Sequence, residues 1–324
     1  MRRAGCLLAA LAAVLLAGAG GWLAGGWWIT SSVEEDSSFI VPNGATLAQV
    51  AKRLAADDLV GSASTFLLRA RLLGSGDPVK AGEFAIPAGS SSAFILDTLQ
   101  HGEVIRRFVT VPEGMPSVLV HERLMAEPLL TGAVAVPPEG SILPQSYDFE
   151  RGEPRAAVLA RMQDAMRRTL AELWAKRAKN IAVSTPQQAV VLASVVEKET
   201  GVPAERRMVA GLYYNRLRTG MRLQADPTII YPITRGKPLG RRIRQSEIAA
   251  VNGYNTYSMA GLPTGPITNP GRASIEAVLN PADTKALYMV ADGKGGHVFA
   301  ATLEEHNANV ARWFALRRQR GEID

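Results

Sequence analysis

The sequence is poor in the residues that build disulfides and metal centres. Its 324 residues include one cysteine and four histidines. Cys6 has no partner for an internal disulfide, so an exported domain would depend on its hydrophobic core for stability. The histidines, at positions 101, 121, 297 and 306, lack the close spacing that is typical of zinc ligands. We therefore expect no metal site and no bound cofactor.

Charge is also missing near the N-terminus. No Asp, Glu, Lys or Arg lies between Arg3 and Glu34, and residues 5–28 form one apolar run. As a helix rising about 1.5 Å per residue, this run would extend about 36 Å, more than the roughly 30 Å of bilayer hydrocarbon. The pattern predicts a cytoplasmic N-terminus and a single-pass transmembrane anchor over residues 1–29.

The flanking residues predict how this anchor is oriented. Arg2 and Arg3 favour a cytoplasmic N-terminus, because cytoplasmic flanks carry excess positive charge. Three tryptophans, Trp22, Trp27 and Trp28, are placed to lie at the opposite interface. We therefore expect an inner-membrane protein whose remaining residues lie in the periplasm or its extracytoplasmic equivalent.

A cleaved signal peptide is the alternative for this segment. Leu7–Leu16 would be its apolar region, and residues 17–19, Ala-Gly-Ala, its small-residue cleavage site. The apolar sequence continues to Trp28, which a cleaved leader does not need. The length of the run therefore favours a retained anchor.

The formal net charge is +6, and the sequence pI is near 9.6. Most basic residues are scattered, and the two clusters are Lys237, Arg241, Arg242 and Arg244 in a Gly/Pro loop and Arg312, Arg317, Arg318 and Arg320 on a C-terminal helix. Solvated faces explain both clusters, with weak attraction to a membrane surface as the functional alternative. We expect no nucleic-acid partner.

Periodicity predicts an α+β fold in two parts after a polar linker over residues 30–38. The smaller part, residues 39–111, contains three predicted strands and three predicted helices. The strands are Phe39–Val41, Gly82–Ile86 and Ile105–Val111, the last closing the unit, and the helices are Thr46–Leu54, Ala63–Leu73 and Ser91–Leu99. Its predicted core residues are Val50, Leu54, Phe66, Leu67, Ile95 and Leu99.

The larger part, residues 112–324, is helix-rich. Its long periodic segments are Arg155–Arg177, Thr185–Thr200 and Ala204–Arg218. The stretch Met221–Pro270 is rich in loop residues, which is typical of a binding cleft. Ala286–Ala291 and His297–Ala301 flank the glycine-rich turn DGKGG and predict a β-hairpin.

One acidic residue, Glu199, stands at the end of an otherwise apolar helix. At roughly 100° per residue, Leu192, Val195 and Val196 share its face, whereas Glu197 points elsewhere and is expected to be exposed. Gly201 then predicts the helix end. Apolar surroundings and the negative C-terminal helix dipole should both raise the Glu199 pKa, which favours a general acid. A structural salt bridge to Arg206 or Arg216 is the alternative.

Many motifs in order resemble the endolytic murein transglycosylase family, also called MltG-like or YceG-like. They are IVPNGATL through AGEFAIPAGSS, resembling a LysM module, then PEGM at 112–115, SVVEKET, YNRLRTGMRLQADPTIIY, YNTY at 254–257, GLPTGPITNPG, ADGKGGHVF, and HN at 306–307. The resemblance covers nearly the full chain. It implies a membrane-anchored enzyme with a LysM-like module and a catalytic domain.

This resemblance implies that Glu199 is the catalytic acid of a peptidoglycan lytic transglycosylase. Such an enzyme cuts the MurNAc-GlcNAc bond without water, leaving 1,6-anhydro-MurNAc ends. Anchoring next to the membrane suggests nascent, lipid-linked glycan as substrate, and the resemblance implies penicillin-binding synthases as partners. The chain departs from the family pattern at Gln145, where an acid is common, and at Thr264, which replaces a frequent proline.

Amide, hydroxyl, carboxylate and aromatic residues downstream of Glu199 are candidates for binding the sugar. They are Asn215, Gln224, Asp226, Thr228, Tyr254, Asn255 and Thr256. Turn and capping roles are the alternatives for Asp226 and Asn215, and a half-buried core position is the alternative for Tyr254.

Two other functions are compatible with the sequence. A hydrolytic muramidase would need a second carboxylate about 5 to 10 Å from Glu199, and Asp226 is the candidate. A non-catalytic scaffold would instead bind glycan through the LysM-like module and recruit synthases.

Overall fold

The computed structural model describes residues 2–29 and 31–323, with the side chains of residues 2–9 left aside. Thr30, the first residue of the predicted linker, therefore lies outside the described residues. The chain divides into two compact units, Met1–Arg107 and Phe108–Asp324. Helices and short strands occur in both units, which confirms the predicted α+β class.

The first helix, α1 (Arg2–Trp28), is the apolar N-terminal segment. Its part from Ala10 to Trp28 is long and apolar enough to cross a membrane. The side chains of Leu11, Val14, Leu15 and Leu16 are all exposed, as expected of a surface that faces lipid. This helix agrees with the predicted single-pass anchor.

The last turns of α1 pack against the rest of the first unit. Trp27 is 2% exposed, and its ring lies 5.8 Å from the Phe66 ring. Arg69 donates hydrogen bonds to the carbonyls of Trp22 and Gly26, each at 2.9 Å. Its guanidinium also lies over the Trp22 ring, at 4.5 Å. The expectation that Trp27 faces the membrane interface is therefore wrong, because protein covers this side chain.

The remainder of the first unit follows the predicted pattern. Strands β1 (Ser37–Val41) and β2 (Gly82–Ile86) pair antiparallel, with Phe39 opposite Phe84. The helices are α2 (Leu47–Ala56), α3 (Ala63–Leu73) and α4 (Ser92–His101). Each begins after a side-chain cap, which is Thr46, Ser62 or Ser91. The predicted core residues are buried, except that Leu67 is only partly covered.

One predicted strand has a different role from the expected one. Strand β3 covers Arg107–Thr110 and pairs with β4 (Ser146–Phe149), not with β1 or β2. Ile105, at the start of the predicted strand, donates its N–H to the Glu83 carbonyl on β2 at 2.7 Å. The prediction that residues 105–111 close the small unit therefore holds at Ile105 and is wrong for β3. Alternating side chains predict a strand, but they do not specify which partner satisfies its backbone groups.

The second unit is built around one buried helix. Its helices are α5 (Ser117–Ala126), α6 (Arg155–Ala175), α7 (Pro186–Glu199), α8 (Arg206–Arg218), α9 (Pro227–Thr234), α10 (Gln245–Ala249), α11 (Arg272–Leu279) and α12 (Leu303–Gln319). Strands β5 (Tyr288–Ala291) and β6 (His297–Ala300) form the predicted antiparallel hairpin. Helix α7 packs against α6, α8, α9 and α11.

The sequence explains why α7 is central. Thr185 accepts a hydrogen bond from the Gln188 backbone N–H, and Pro186 occupies the first turn, where no N–H is needed. Residues 189–196 are all buried. Helix α9 lies within the stretch expected to be loop-rich, and it positions a second carboxylate near the end of α7.

Candidate functional site

Glu199 is the last residue of α7, followed by the C-cap Thr200. Leu192, Val195 and Val196 on the same face are each 0% exposed. The side chain lines a pocket of about 230 Å³, which we call the carboxylate pocket. Among its other lining residues are Tyr213, Arg216, Gln224, Asp226, Tyr257, Met289 and His297. An apolar helix face thus delivers one carboxyl group into a polar pocket.

The surroundings of Glu199 favour its protonated form. Its Oε1 atom is buried and has no hydrogen-bond partner. Burial, together with the negative charge of Asp226, raises the Glu199 pKa to about 8, against opposing effects from the Tyr213 hydroxyl and the Arg216 charge. At neutral pH this carboxyl therefore holds a proton that it can donate.

Neither proposed salt-bridge partner neutralises Glu199. Arg206 pairs with Glu113, at 2.9 Å, and with Glu197, at 3.5 Å. Arg216 instead donates to backbone carbonyls, among them those of Leu223 and Leu287, each at 2.7 Å. Within residues 31–323 the structure thus shows no ion pair to Glu199, and the purely structural alternative lacks its partner.

The expected exposure of Glu197 is wrong. Its side chain is 5% exposed, and it accepts a hydrogen bond from the Gly271 backbone N–H at 2.9 Å. Arg206 adds a second contact. These partners come from α8 and from the segment before α11, which the local pattern of α7 does not reveal. Glu197 is therefore a structural acid, held by a backbone N–H and a guanidinium that are distant in sequence.

Asp226 contributes the second carboxylate of the pocket. It directly precedes α9, and its Oδ1 accepts a hydrogen bond from the Tyr257 hydroxyl at 2.6 Å. Burial raises the Tyr257 pKa, so this hydroxyl stays protonated and remains a donor. The structure therefore places Asp226 beside Glu199 and fixes one of its oxygens.

Gln224 also lines the carboxylate pocket, in an uncommon backbone conformation. Its φ is +51°, in the left-handed region that side-chain-bearing residues seldom adopt. Its backbone N–H donates to the Thr256 carbonyl at 3.2 Å, and Arg216 contacts its side-chain oxygen at 3.5 Å. These contacts turn the chain so that Gln224 and Asp226 both face the pocket.

Three of the predicted sugar-binding residues are buried and hold the loops around the pocket together. Thr228, Asn255 and Thr256 are each 0% exposed. The Thr228 and Thr256 hydroxyls lie 2.9 Å apart, and Asn255 donates to the carbonyls of Ile248 and Ala250. Their side chains fix the backbone of residues 224–228 and 247–257.

Two further candidates lie outside the lining of the carboxylate pocket. The Asn215 amide donates to the carbonyls of Thr284 and Ala286, at 2.8 and 3.0 Å, and so connects α8 to the chain before β5. Tyr254 packs against Tyr231, with ring centroids 4.9 Å apart. Of the seven candidates, Gln224 and Asp226 are thus the two that line the pocket with Glu199.

His297 on β6 lines the same pocket and was not among the predicted site residues. Its Nδ1 lies 2.8 Å from Glu205, which also accepts the His297 backbone N–H at 2.8 Å. The Thr200 hydroxyl donates to the same carboxylate at 3.0 Å. Glu205 thereby ties the histidine to the end of α7. The motif ADGKGGHVF contained this residue, but spacing alone did not connect it to Glu199.

The two departures from the family pattern, Gln145 and Thr264, are not among the residues that line the carboxylate pocket. Gln145 is exposed, and its backbone carbonyl accepts the Val111 N–H at 2.9 Å. The Thr264 backbone N–H donates to the Gly253 carbonyl at 2.8 Å. A proline at position 264 could not make this bond, so Thr264 adds a turn contact of its own.

Comparisons with known proteins agree on one family. The YceG-like family model matches residues 39–312. The chain is 25% identical over 312 residues to the endolytic murein transglycosylase of Bacillus subtilis strain 168, covering 86% of this chain and 85% of that protein. It is 28% identical over 321 residues to the endolytic murein transglycosylase of Streptococcus pneumoniae strain D39, covering 84% and 57%.

A solved structure extends this similarity to the fold. The crystal structure of a YceG-like protein from Listeria monocytogenes aligns with a TM-score of 0.52 at 25% identity. The alignment covers 85% of this chain and 99% of the Listeria chain.

Proposed function

Because the chain belongs to the YceG-like family, and relatives in two bacteria are endolytic murein transglycosylases, we propose that it cuts peptidoglycan glycan strands internally without adding water. The observation that carries the mechanism is the buried, unpartnered Oε1 of Glu199 in one pocket with Asp226, an environment that raises the Glu199 pKa. An acid beside a fixed negative charge suits cleavage of a glycosidic bond.

In the first step, Glu199 donates its proton to the oxygen that links MurNAc to GlcNAc. The bond from this oxygen to the muramyl anomeric carbon breaks, and GlcNAc leaves with a new hydroxyl. Positive charge then develops on the muramyl ring. Asp226, oriented by Tyr257, supplies negative charge that stabilises this transition state.

In the second step, the 6-hydroxyl of the same MurNAc attacks its anomeric carbon. The Glu199 carboxylate takes the hydroxyl proton, which restores the acid and closes the 1,6-anhydro ring. No water is consumed, because the nucleophile belongs to the substrate. Tethering replaces a positioned water, and effective molarities of intramolecular reactions reach about 10⁵ M or more.

Residues around the two carboxyl groups position the reaction. Arg216 joins α8 to the backbone at Leu223 and Leu287. Glu205 orients His297, whose second ring nitrogen is then available to a sugar hydroxyl. His297 is a positioning residue on this proposal.

Location follows from the N-terminal helix. We propose that α1 anchors the protein in the inner membrane, with a cytoplasmic N-terminus and both units outside the cytoplasm. This location favours nascent, lipid-linked glycan as substrate and penicillin-binding synthases as neighbours. The first unit, as a LysM-like module, would bind glycan.

End-group analysis tests the reaction. Digestion of purified glycan by the wild-type protein should give muramyl ends that lack one water relative to reducing ends, as measured by mass spectrometry. Reducing ends alone would identify a hydrolytic muramidase that uses Asp226 as its second carboxylate. Glu199→Gln should abolish both products. Undiminished cleavage by this variant, together with loss of cleavage on deletion of residues 39–104, which keeps β3 in place, would favour the scaffold function.

A further inference from the structure

A second pocket, of about 450 Å³, lies beside the carboxylate pocket within the second unit. Apolar side chains dominate its walls, including Met115, Leu119, Ile230 and Ile267. Lys198 also lines it. We call it the Lys198 pocket. Its volume is within the range of sites that bind small ligands, roughly 300 to 1,000 Å³.

The two pockets share a wall. Lys198 and Pro227 line the Lys198 pocket, whereas their chain neighbours Glu199 and Asp226 line the carboxylate pocket. Consecutive Cα atoms are about 3.8 Å apart, so the two sites are adjacent at two separate points of the chain. A group attached to a sugar beside Glu199 can therefore reach the Lys198 pocket.

Three charged residues line this pocket, and two of them are in ion pairs. Glu113 is paired with Arg206, and Lys237 is paired with Glu122 at 2.6 Å. Lys198 is exposed, and within residues 31–323 the structure shows no ion pair for it. A Cβ placed on Gly114 would lie 3.6 Å from the Lys198 stem, an ordinary van der Waals distance, so the stem runs alongside residue 114. The pocket thus offers an exposed ammonium group that is free to pair with an anion at the mouth of an apolar cavity, although Arg206 is shared between Glu113 and Glu197 nearby.

A second sugar is a poor match for these walls. Sugar hydroxyls need several hydrogen-bonding side chains, and the polar side chains that line this pocket are Glu113, Lys198, Tyr231 and Lys237. Glu113 and Lys237 are already engaged in ion pairs, and the rest of the lining is apolar or glycine. Burial and the nearby charge of Glu139 both raise the Tyr231 pKa. A short peptide with methyl side chains and free carboxylates matches both the apolar walls and Lys198.

We propose that the Lys198 pocket receives the acidic peptide stem carried by the muramic acid residue at the cleavage site, with a stem carboxylate paired to Lys198. This inference rests on the proposed function. An extended stem of three residues spans about 10 Å. The enzyme would then distinguish glycan with stems from glycan without them, through a residue adjacent to its acid.

Two substrates separate this inference from the function itself. One is glycan that carries its stems, and the other is the same glycan stripped of stems by an amidase. The measured quantity is the ratio of kcat/KM for the first substrate to kcat/KM for the second. Wild type should prefer glycan with stems, and Lys198→Glu should lower the ratio roughly fivefold, since exposed ion pairs and their reversal have modest effects.

Matched variants and salt sharpen the test. Lys198→Arg should retain the preference because the positive charge stays. Lys179→Glu, which reverses a charge on an exposed lysine outside the pocket lining, should leave the ratio unchanged. High salt should reduce the wild-type preference, because screening weakens exposed pairs.

Several outcomes would overturn the proposal. An equal loss by Lys198→Glu on both substrates would show a general structural effect, and no loss would remove the stem contact. Preference for lipid-linked glycan without stems would identify an acyl chain as the occupant. A wild-type protein that makes no anhydro ends from either substrate would instead refute the proposed function.

Discussion

Two glutamates at the C-terminal end of α7 lie two residues apart and differ in every partner. Glu197 is nearly covered, yet it receives the Gly271 N–H and the Arg206 charge. Glu199 is partly exposed to its pocket, but its Oε1 is buried without a partner and its neighbour Asp226 is negative. Burial therefore does not decide the role of an acid. The role of an acid depends on its hydrogen-bond and charge partners, because these favour either its charged or its neutral form.

The largest expected effect comes from removing the ionisable group at Glu199. Glu199→Gln should lower kcat on glycan by about 10²- to 10⁴-fold, the usual contribution of a positioned acid. Wild-type activity should fall on the alkaline side with an apparent pKa of about 8. The matched variant Glu197→Gln should keep this pH profile. If Glu197→Gln instead lost the alkaline limit, the roles of the two glutamates would be assigned to the wrong residues.

The same change should also alter stability with pH. The Glu199 pKa is about 8 in the folded state and near 4.5 ordinarily, so the folded protein holds a proton that the unfolded chain has released between these values. Wild-type stability should therefore fall as the pH rises from about 4.5 to about 8. Denaturant unfolding should show a weaker fall for Glu199→Gln, and parallel curves would contradict the raised pKa.

Asp226→Asn tests how the negative charge of Asp226 affects Glu199. Because the like charge of Asp226 contributes to the raised Glu199 pKa, its removal should shift the alkaline limit of activity to lower pH. Loss of transition-state stabilisation should lower kcat by about 10- to 100-fold, below the effect of removing the acid. The check is a pH profile of kcat. Tyr257→Phe, which removes the hydrogen bond but keeps the charge, is the graded control.

Glu197→Ala addresses the other acid. It leaves the Gly271 N–H without its acceptor and removes one partner of Arg206, so unfolding should become easier by about 1 to 3 kcal/mol. Chemical denaturation measures this loss. Activity per folded molecule should stay close to wild type when assayed well below the melting temperature, whereas a large fall in kcat would give Glu197 a chemical role.

The smallest expected effect is at Thr264. Thr264→Pro removes the hydrogen bond to the Gly253 carbonyl, worth about 0.5 to 1.5 kcal/mol, and stiffens the chain in partial compensation. Both glutamates keep their partners, so kcat and its pH profile should not change. Thermal unfolding should show a small decrease in stability, and Thr264→Ala, which keeps the N–H, should show less.

The sequence predicted the features that depend on local pattern. The end of α7, its apolar face and the raised pKa of Glu199 follow from periodicity and a helix-stop signal, and the structure confirms them. The β5–β6 hairpin follows likewise from alternation around a glycine-rich turn. These features need information from neighbouring residues only.

Features that depend on distant partners were missed or wrong. Glu197 was expected to be exposed because its partners Arg206 and Gly271 come from other elements. His297 joins the pocket through Glu205, a contact across 92 positions in the chain. The pairing of β3 likewise depended on β4. In each case the residue types were visible, but the proximity created by folding was not.

The packing of Arg69 and Phe66 against the end of α1 would limit the depth of the proposed anchor. Because these contacts occupy the helix from Trp22 onward, the lipid-facing length ends near Gly21, and residues 4–21 would span about 27 Å, close to a hydrocarbon core. Arg69 would then stand at headgroup level. On the proposed location, these contacts would hold the first unit at the outer leaflet, and lateral diffusion of the anchor in the bilayer would bring it to new glycan.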